Sequence, residues 1–327
     1  MKAAFLDFDS LGPADIDTSA LRATLPDLEL YPSSTEAEVH ERTAGCEILL
    51  VNKVDLTRER LAAMAPTLKL VALAATGTDN VDLAAARELG IAVANIRNYA
   101  TPSVVQHVFG LVLALTLRLD EYRQLVRGGA WERSPHFCLL DFPSRELAGR
   151  TLGIVGYGQL GQAVGAVGRA FGMRVIAARS LRDGAGGTGP AGTAAVDRLE
   201  LRELLAIADV VSLHCPLTPA TRHLIDGDSL ARMRRDAVLI NTARGGLVDT
   251  DALLAALQGG RLGGAGIDVL AEEPPAPGHP LLAARLPNLI VTPHIAWAAR
   301  ESRQRALDEV VANVRDFLSG GERNRVA

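Results

Sequence analysis

Gly153-Ile154-Val155-Gly156-Tyr157-Gly158-Gln159-Leu160-Gly161 follows the apolar Thr151-Leu152 and opens into a stretch carrying Ala163, Val164 and Ala166. A strand, a glycine-rich turn and a helix in immediate succession form the phosphate-binding turn of a dinucleotide site. Gly156 permits the tight turn, Gly158 lets the backbone approach a pyrophosphate, and Gly161 allows the helix to lie close on the strand. The helix N-terminus offers free amides and the positive end of its dipole, so Gly156, Gly158, Gln159, Leu160 and Gly161 are the candidate phosphate contacts.

Outward from this turn, short aliphatic runs alternate with Ala- and Leu-rich helical stretches. On the N-terminal side they are Glu47 to Val51, Leu61 to Ala65 and Leu68 to Leu73; on the other, Met173 to Ala177, Asp209 to Leu213, Ala237 to Asn241 and Gly264 to Val269. Such alternation predicts parallel sheets with crossover helices. Thr101-Pro102-Ser103 followed by Val104, Val105, Val108, Leu111, Val112 and Leu115 predicts a long connecting helix. The final apolar rhythm of Ala306, Val310, Val311, Val314 and Phe317 predicts a helix that returns to the first domain.

The expected fold is therefore α/β, with two Rossmann-like, doubly wound parallel-sheet domains and an interdomain cleft. Residues 1–100, completed by 295–327, form a substrate domain, and residues 101–294 bind the dinucleotide. Two chain crossings make a hinge, so closure over the cofactor is an expected step. The irregular segment from Gly128 through Trp131 to Pro143 is expected to be an inter-subunit arm, and Ser180 to Gly192 a loop.

With 327 residues, 48% of them hydrophobic, the chain is long enough for two cores. A net charge of -4 without a basic stripe argues against nucleic acid as a partner. Met1 to Asp7 turns acidic too soon for a signal peptide and reads as a first strand; no apolar run approaches a membrane span. Three scattered cysteines, Cys46, Cys138 and Cys215, fit a reducing, cytoplasmic setting, and the seven histidines form no metal-ligand pattern.

Roughly twenty residues past the glycines an acid ordinarily receives the ribose hydroxyls. Here the strand Arg174 to Ala178 runs into Arg179-Ser180, with Arg182 nearby. A guanidinium and a hydroxyl suit a 2′-phosphate, which favours NADP(H), with NAD(H) the alternative.

Three further segments carry chemistry: Asn241-Thr242-Ala243-Arg244-Gly245, then Asp268-Val269 leading to Glu272-Glu273-Pro274, then Thr292-Pro293-His294-Ile295-Ala296-Trp297. Strand ends of a parallel sheet converge at the ligand crevice, where an Arg, an acid and a His make a 2-keto acid site. In this order of motifs, from about Leu68 to Trp297, the sequence resembles the D-isomer-specific 2-hydroxyacid dehydrogenases, and Trp297 after Pro-His-Ile-Ala resembles their hydroxypyruvate- and glyoxylate-reducing glycerate dehydrogenases.

The resemblance implies a hydride transfer between NADP(H) or NAD(H) and a small 2-keto or 2-hydroxy acid. Arg244 would bind the substrate, His294 would be the general acid, and Glu273, the acid before Pro274, would orient it. A carboxylate beside the imidazole favours its charged form, so reduction should fade at alkaline pH. Ala75, Thr76 and Gly77 would present backbone amides to the substrate carboxylate beside Trp297. Thr101, Cys215, Pro216, Thr242, Ala243, Asp268 and His294 would touch the cofactor, Asp268 near the carboxamide; Thr101 reads equally as a helix cap.

His107 and His214 read as packing or hydrogen-bonding residues, and the family implies a homodimer. Two rivals stay open. One is the same machinery on another substrate, lactate-like or phosphite; the other is a dinucleotide-sensing protein that binds partners and turns over little.

Overall fold

The computed structural model describes residues 1–180 and 196–327. The loop expected from Ser180 to Gly192 therefore lies, beyond Ser180, outside the described residues, as does Arg182. The chain divides into two compact units, Met1–Ala100 with Trp297–Ala327, and Thr101–Ala296.

The first unit holds β1 (Ala3–Phe5), β2 (Leu28–Leu30), β3 (Ile48–Val51), β4 (Leu70–Leu73) and β5 (Ala92–Ala94). They pair in parallel in the order β2-β1-β3-β4-β5. Four of these five are buried at every residue, as continuous apolar runs must be when helices cover both faces. Alternate side chains go to opposite faces. Ile48 and Leu50 pack with Val310 and Val314 of the helix Arg300–Leu318, whereas Leu49 and Val51 pack with Leu61 and Ala85 on the other side.

The second unit opens with the connecting helix Thr101–Leu117, which bends by 60° into a second, Leu119–Arg127, where Arg118 adopts a left-handed φ of 55°. No single helix among the described residues is long and apolar enough to cross a membrane. Seven strands follow: β6 (Thr151–Val155), β7 (Arg174–Ala178), β8 (Asp197–Leu199), β9 (Val210–Leu213), β10 (Val238–Asn241), β11 (Gly264–Ile267) and β12 (Leu289–Val291). They are all parallel, in the order β12-β11-β10-β9-β6-β7-β8. Both sheets are thus the doubly wound parallel kind.

Strand order reverses at β6, which pairs with β7 on one side and β9 on the other. Such a reversal opens a crevice at the carboxyl ends of the strands, and Gly156 lies there with φ 97°. A Cβ on it would stand 2.5 Å from the His214 carbonyl carbon, and one on Gly161 would stand 2.3 Å from the Gly156 carbonyl oxygen. The turn exists in this form only because both positions lack a side chain. The segment from Trp131 to Pro143 is irregular and leaves Phe137 91% and Leu140 86% exposed.

His214, at the exit of β9, is half-buried; its Nε2 lies 2.8 Å from Ser212 Oγ, and its buried Nδ1 has no partner among the described residues. Burial pushes its pKa down from 6.5 to about 4, so the folded protein holds it neutral. Between those values the unfolded chain binds the extra proton, and stability falls as the medium is acidified. From pH 7 to pH 4.5 this residue should cost about 2–3 kcal/mol. Urea denaturation of wild type and His214→Gln at both pH values checks this: the wild type should lose more stability on acidification, and equal losses would contradict the assignment.

Candidate active site

Thr292, Pro293 and His294 continue from β12, and Asp268 continues from its neighbour β11, in register through Ile267 and Val291. Asp268 is 1% exposed. A carboxylate so placed requires hydrogen bonds, and it accepts them from Thr292 Oγ1 (2.5 Å), Ile295 N (2.9 Å) and Ala296 N (2.9 Å). Its backbone carbonyl accepts from His294 N at 2.8 Å. His107, on the connecting helix, places Nε2 3.0 Å from Thr292 Oγ1 and 3.4 Å from Asp268 Oδ1. Between these anchors His294 takes a left-handed φ of 55°, a conformation a non-glycine residue keeps only when its surroundings impose it.

His294 Nδ1 lies 2.6 Å from Glu273 Oε2. The other oxygen of Glu273 accepts from Leu270 N at 2.8 Å, so the carboxylate is fixed from its own loop. Arg244 leaves β10, the next strand across: Asn241 donates through Nδ2 to the Arg244 carbonyl at 2.9 Å, and Asn241 Oδ1 accepts from Ala243 N at 3.1 Å. A Cβ at Gly245 would lie 1.9 Å from the Leu270 carbonyl carbon. The Arg244 loop therefore lies directly on the backbone that leads to Glu273. Three adjacent strands deliver Arg244, Glu273 and His294 to one end of the sheet.

The expected dinucleotide contacts line the same end of this unit. Gly158 precedes the helix Gln159–Ala170, and a Cβ there would meet nothing within 4 Å, in contrast to the crowded Gly156 and Gly161. That open space over a helix N-terminus fits a pyrophosphate. Thr242 Oγ1, at the exit of β10, is buried with no partner among the described residues, which suits a ligand group. Burial raises the Cys215 thiol to about 11, so it stays protonated beside Pro216. Thr101 is the first residue of its helix.

Asp268, expected to stand near the carboxamide, directs its carboxylate into the turn that carries His294. A buried acid is more stable with inward amide donors than facing a pocket. At the ribose corner, Arg179 Nε lies 3.4 Å from Glu200 Oε1, both side chains about two-thirds exposed. Sequence reasoning found no acid at this corner. Glu200 follows the three-residue strand β8, which brings it beside the end of β7, and no local pattern marked it.

Ala75, Thr76, Gly77 and Trp297 belong to the first unit. Trp297 packs edge-on against Tyr99, ring centres 6.4 Å apart. Ala75 to Gly77 leave the carboxyl end of β4.

Residues 109–296, more than half of the chain, match the family model described as D-isomer specific 2-hydroxyacid dehydrogenase, NAD binding domain. The chain is 45% identical to a glycerate dehydrogenase from Methylorubrum extorquens, over 99% of this chain and 98% of that one. It is 38% identical to a hydroxypyruvate reductase from Blautia hydrogenotrophica, over 100% and 99% of the two chains. Among solved structures it is similar to the TT0316 protein from Thermus thermophilus, with a TM-score of 0.86, 37% identity and full coverage of both chains.

Replacing Asp268 by Asn turns an NH2 group toward donors that need an acceptor. One buried donor then goes unpaired, and stability should fall by about 1–3 kcal/mol. Chemical denaturation at pH 7 measures it, and an unchanged midpoint would show that the turn is held by other contacts.

Proposed function

The chain belongs to the D-isomer-specific 2-hydroxyacid dehydrogenases, and on that premise we propose that it reduces small 2-keto acids, hydroxypyruvate and glyoxylate foremost, with NADPH preferred over NADH. The observation that carries the reading is the 2.6 Å contact between His294 Nδ1 and Glu273 Oε2 at the strand ends that also present Arg244. The unit Thr101–Ala296 is the dinucleotide domain in this reading, and the unit Met1–Ala100 with Trp297–Ala327 is the substrate domain.

A nicotinamide held by this unit would supply a hydride to the carbonyl carbon. Arg244 binds the carboxylate and the carbonyl oxygen, its planar guanidinium fixing the ketone's orientation. With Nδ1 held by Glu273, His294 uses Nε2 to donate a proton to the oxygen as negative charge grows on it. Glu273 stabilises the imidazolium before transfer and keeps the ring in place after it. In the oxidative direction the neutral ring takes the hydroxyl proton. The amides of the Ala75–Gly77 loop hold the carboxylate, and Trp297 shapes the pocket. Gly156, Gly158, Gln159, Leu160 and Gly161 take the pyrophosphate, while Thr101, Cys215, Pro216, Thr242 and Ala243 line the rest of the dinucleotide site.

Preference for NADPH rests on Arg179 and Ser180 at the end of β7. Glu200 competes for the same guanidinium, but the pair is exposed and 3.4 Å apart, and such pairs are weak. Arg179 and Ser180 would hold a 2′-phosphate there through charge-assisted hydrogen bonds. The exposed Trp131, Phe137 and Leu140 on the irregular segment support a homodimer, since apolar side chains this open seek a covered surface.

Oxidation of NADPH and NADH, followed at the nicotinamide absorbance with hydroxypyruvate, glyoxylate, pyruvate and phenylpyruvate, tests the reading. Hydroxypyruvate with NADPH should lead, and His294→Ala should lower kcat by about 10²–10⁴-fold. Glu200→Gln should widen the preference for NADPH; equal or better efficiency with NADH in the wild type would overturn the cofactor assignment. Tight dinucleotide binding without turnover of any acid would favour a sensing protein. Light scattering should give the mass of a dimer, and a monomer would refute that part.

A further inference from the structure

The loop Ala75–Gly77 is strapped to the exit of the neighbouring strand β5. Ile96 N donates to the Ala75 carbonyl at 3.1 Å, Asn95 Nδ2 to the Thr76 carbonyl at 2.8 Å, and Thr76 Oγ1 to the Ile96 carbonyl at 2.8 Å. Among the described residues no hydrogen bond takes the amides of Thr76 and Gly77.

A trans peptide is planar, with its N–H directed opposite to its C=O. Fixing the Ala75 carbonyl therefore fixes the Thr76 N–H, and fixing the Thr76 carbonyl fixes the Gly77 N–H. Both carbonyls are drawn toward β5, so both amides point away from it. The Ile96 amide thus sets the direction of the Thr76 N–H, and the Asn95 side chain that of the Gly77 N–H.

Asn95 is 6% exposed and uses all four of its polar groups. Besides the bond to Thr76, its backbone N donates to the Asn324 carbonyl at 3.2 Å, its carbonyl accepts from Asn313 Nδ2 at 2.8 Å, and its Oδ1 accepts from Arg97 Nε at 3.4 Å. Asn313, on the helix Arg300–Leu318, is 2% exposed and accepts through Oδ1 from Asn324 Nδ2 at 3.0 Å. Buried amides with partners at both ends have one orientation available. The ladder Asn324–Asn313–Asn95 is thus a rigid strut from the last segment of the chain to the Thr76 carbonyl.

We propose that Asn95 and Asn313 are positioning residues for recognition of the substrate carboxylate, aiming the Gly77 amide by holding the Thr76 carbonyl behind it. The proposal rests on the reading that this loop binds the carboxylate. It adds that the loop's affinity is set by side chains that never meet the substrate. The carboxylate is shared by every 2-keto acid and is held alike in ground and transition states, which makes it uniform binding. Loosening the strut raises KM for all acids by one factor and leaves kcat in place. A pocket-lining residue, by contrast, changes the ratio between acids.

The test is steady-state kinetics on Asn95→Asp and Asn313→Asp, near-isosteric changes that remove the donated N–H. Saturating NADPH is used with glyoxylate, hydroxypyruvate and pyruvate. KM for each acid should rise by the same factor, about five- to twentyfold, with kcat and KM for NADPH within about twofold of wild type. An unchanged KM, or factors that differ several-fold between acids, overturns the proposal. Should either Asp variant fail to fold, Asn324→Gly, at a half-buried position whose left-handed φ of 53° glycine adopts without strain, removes the outer rung together with a 3.4 Å contact to Glu309 and should raise KM about two- to threefold for all acids alike. Gly77→Pro, which deletes an amide itself, separates the two failures. If it raises KM while the Asn variants do not, only the positioning role falls. If it leaves KM unchanged, the loop does not bind the carboxylate, and the underlying reading falls together with the proposal.

Discussion

A single buried carboxylate organises the reactive end of the second unit. Asp268 leaves β11 into a place where water does not reach it, and its oxygens are satisfied by the hydroxyl and amides of the turn beyond β12. That need for donors dictates the path from Thr292 to Ala296, and the path forces His294 into a left-handed conformation. The same conformation delivers the imidazole to Glu273. His107 closes the arrangement from the connecting helix, so the helix that opens the unit also braces the turn that carries His294.

Close approach of backbones is the second constraint, and glycine provides it wherever a functional segment crosses another. Gly156 lies on the exit of β9, Gly161 on the turn itself, and Gly245 on the segment leading to Glu273. In β11, Gly264 and Gly266 leave room for Leu115 and Leu111 of the connecting helix, so a strand that would otherwise be weakened by its glycines gains a helix packed directly upon it. The open space above Gly158 is different in kind: among the described residues nothing lies within 4 Å of a Cβ placed there.

Much of this was legible in the sequence because it is carried by local patterns. The glycine turn, the buried apolar strands and the capped connecting helix each depend on residues within one or two turns of one another. Arg244, Glu273 and His294 were legible by a coarser rule, since residues just past parallel strands gather at one edge. Glu200 beside Arg179, the inward carboxylate of Asp268 and the Asn324–Asn313–Asn95 ladder were not. Their partners lie from 11 positions apart, for Asn313 and Asn324, to 218, for Asn95 and Asn313, and no periodicity connects them.

By itself the sequence determined the two parallel α/β units, the glycine-rich turn and the candidate side chains Arg244, Glu273 and His294, because hydrophobic period, glycine spacing and residue chemistry act over short range. Tertiary structure alone decided which groups orient those side chains: Asp268 and His107 behind His294, and Asn95 behind the Thr76 carbonyl. Which polar groups are buried together depends on the order of strands in a sheet, and that order is fixed only when the whole sheet has assembled.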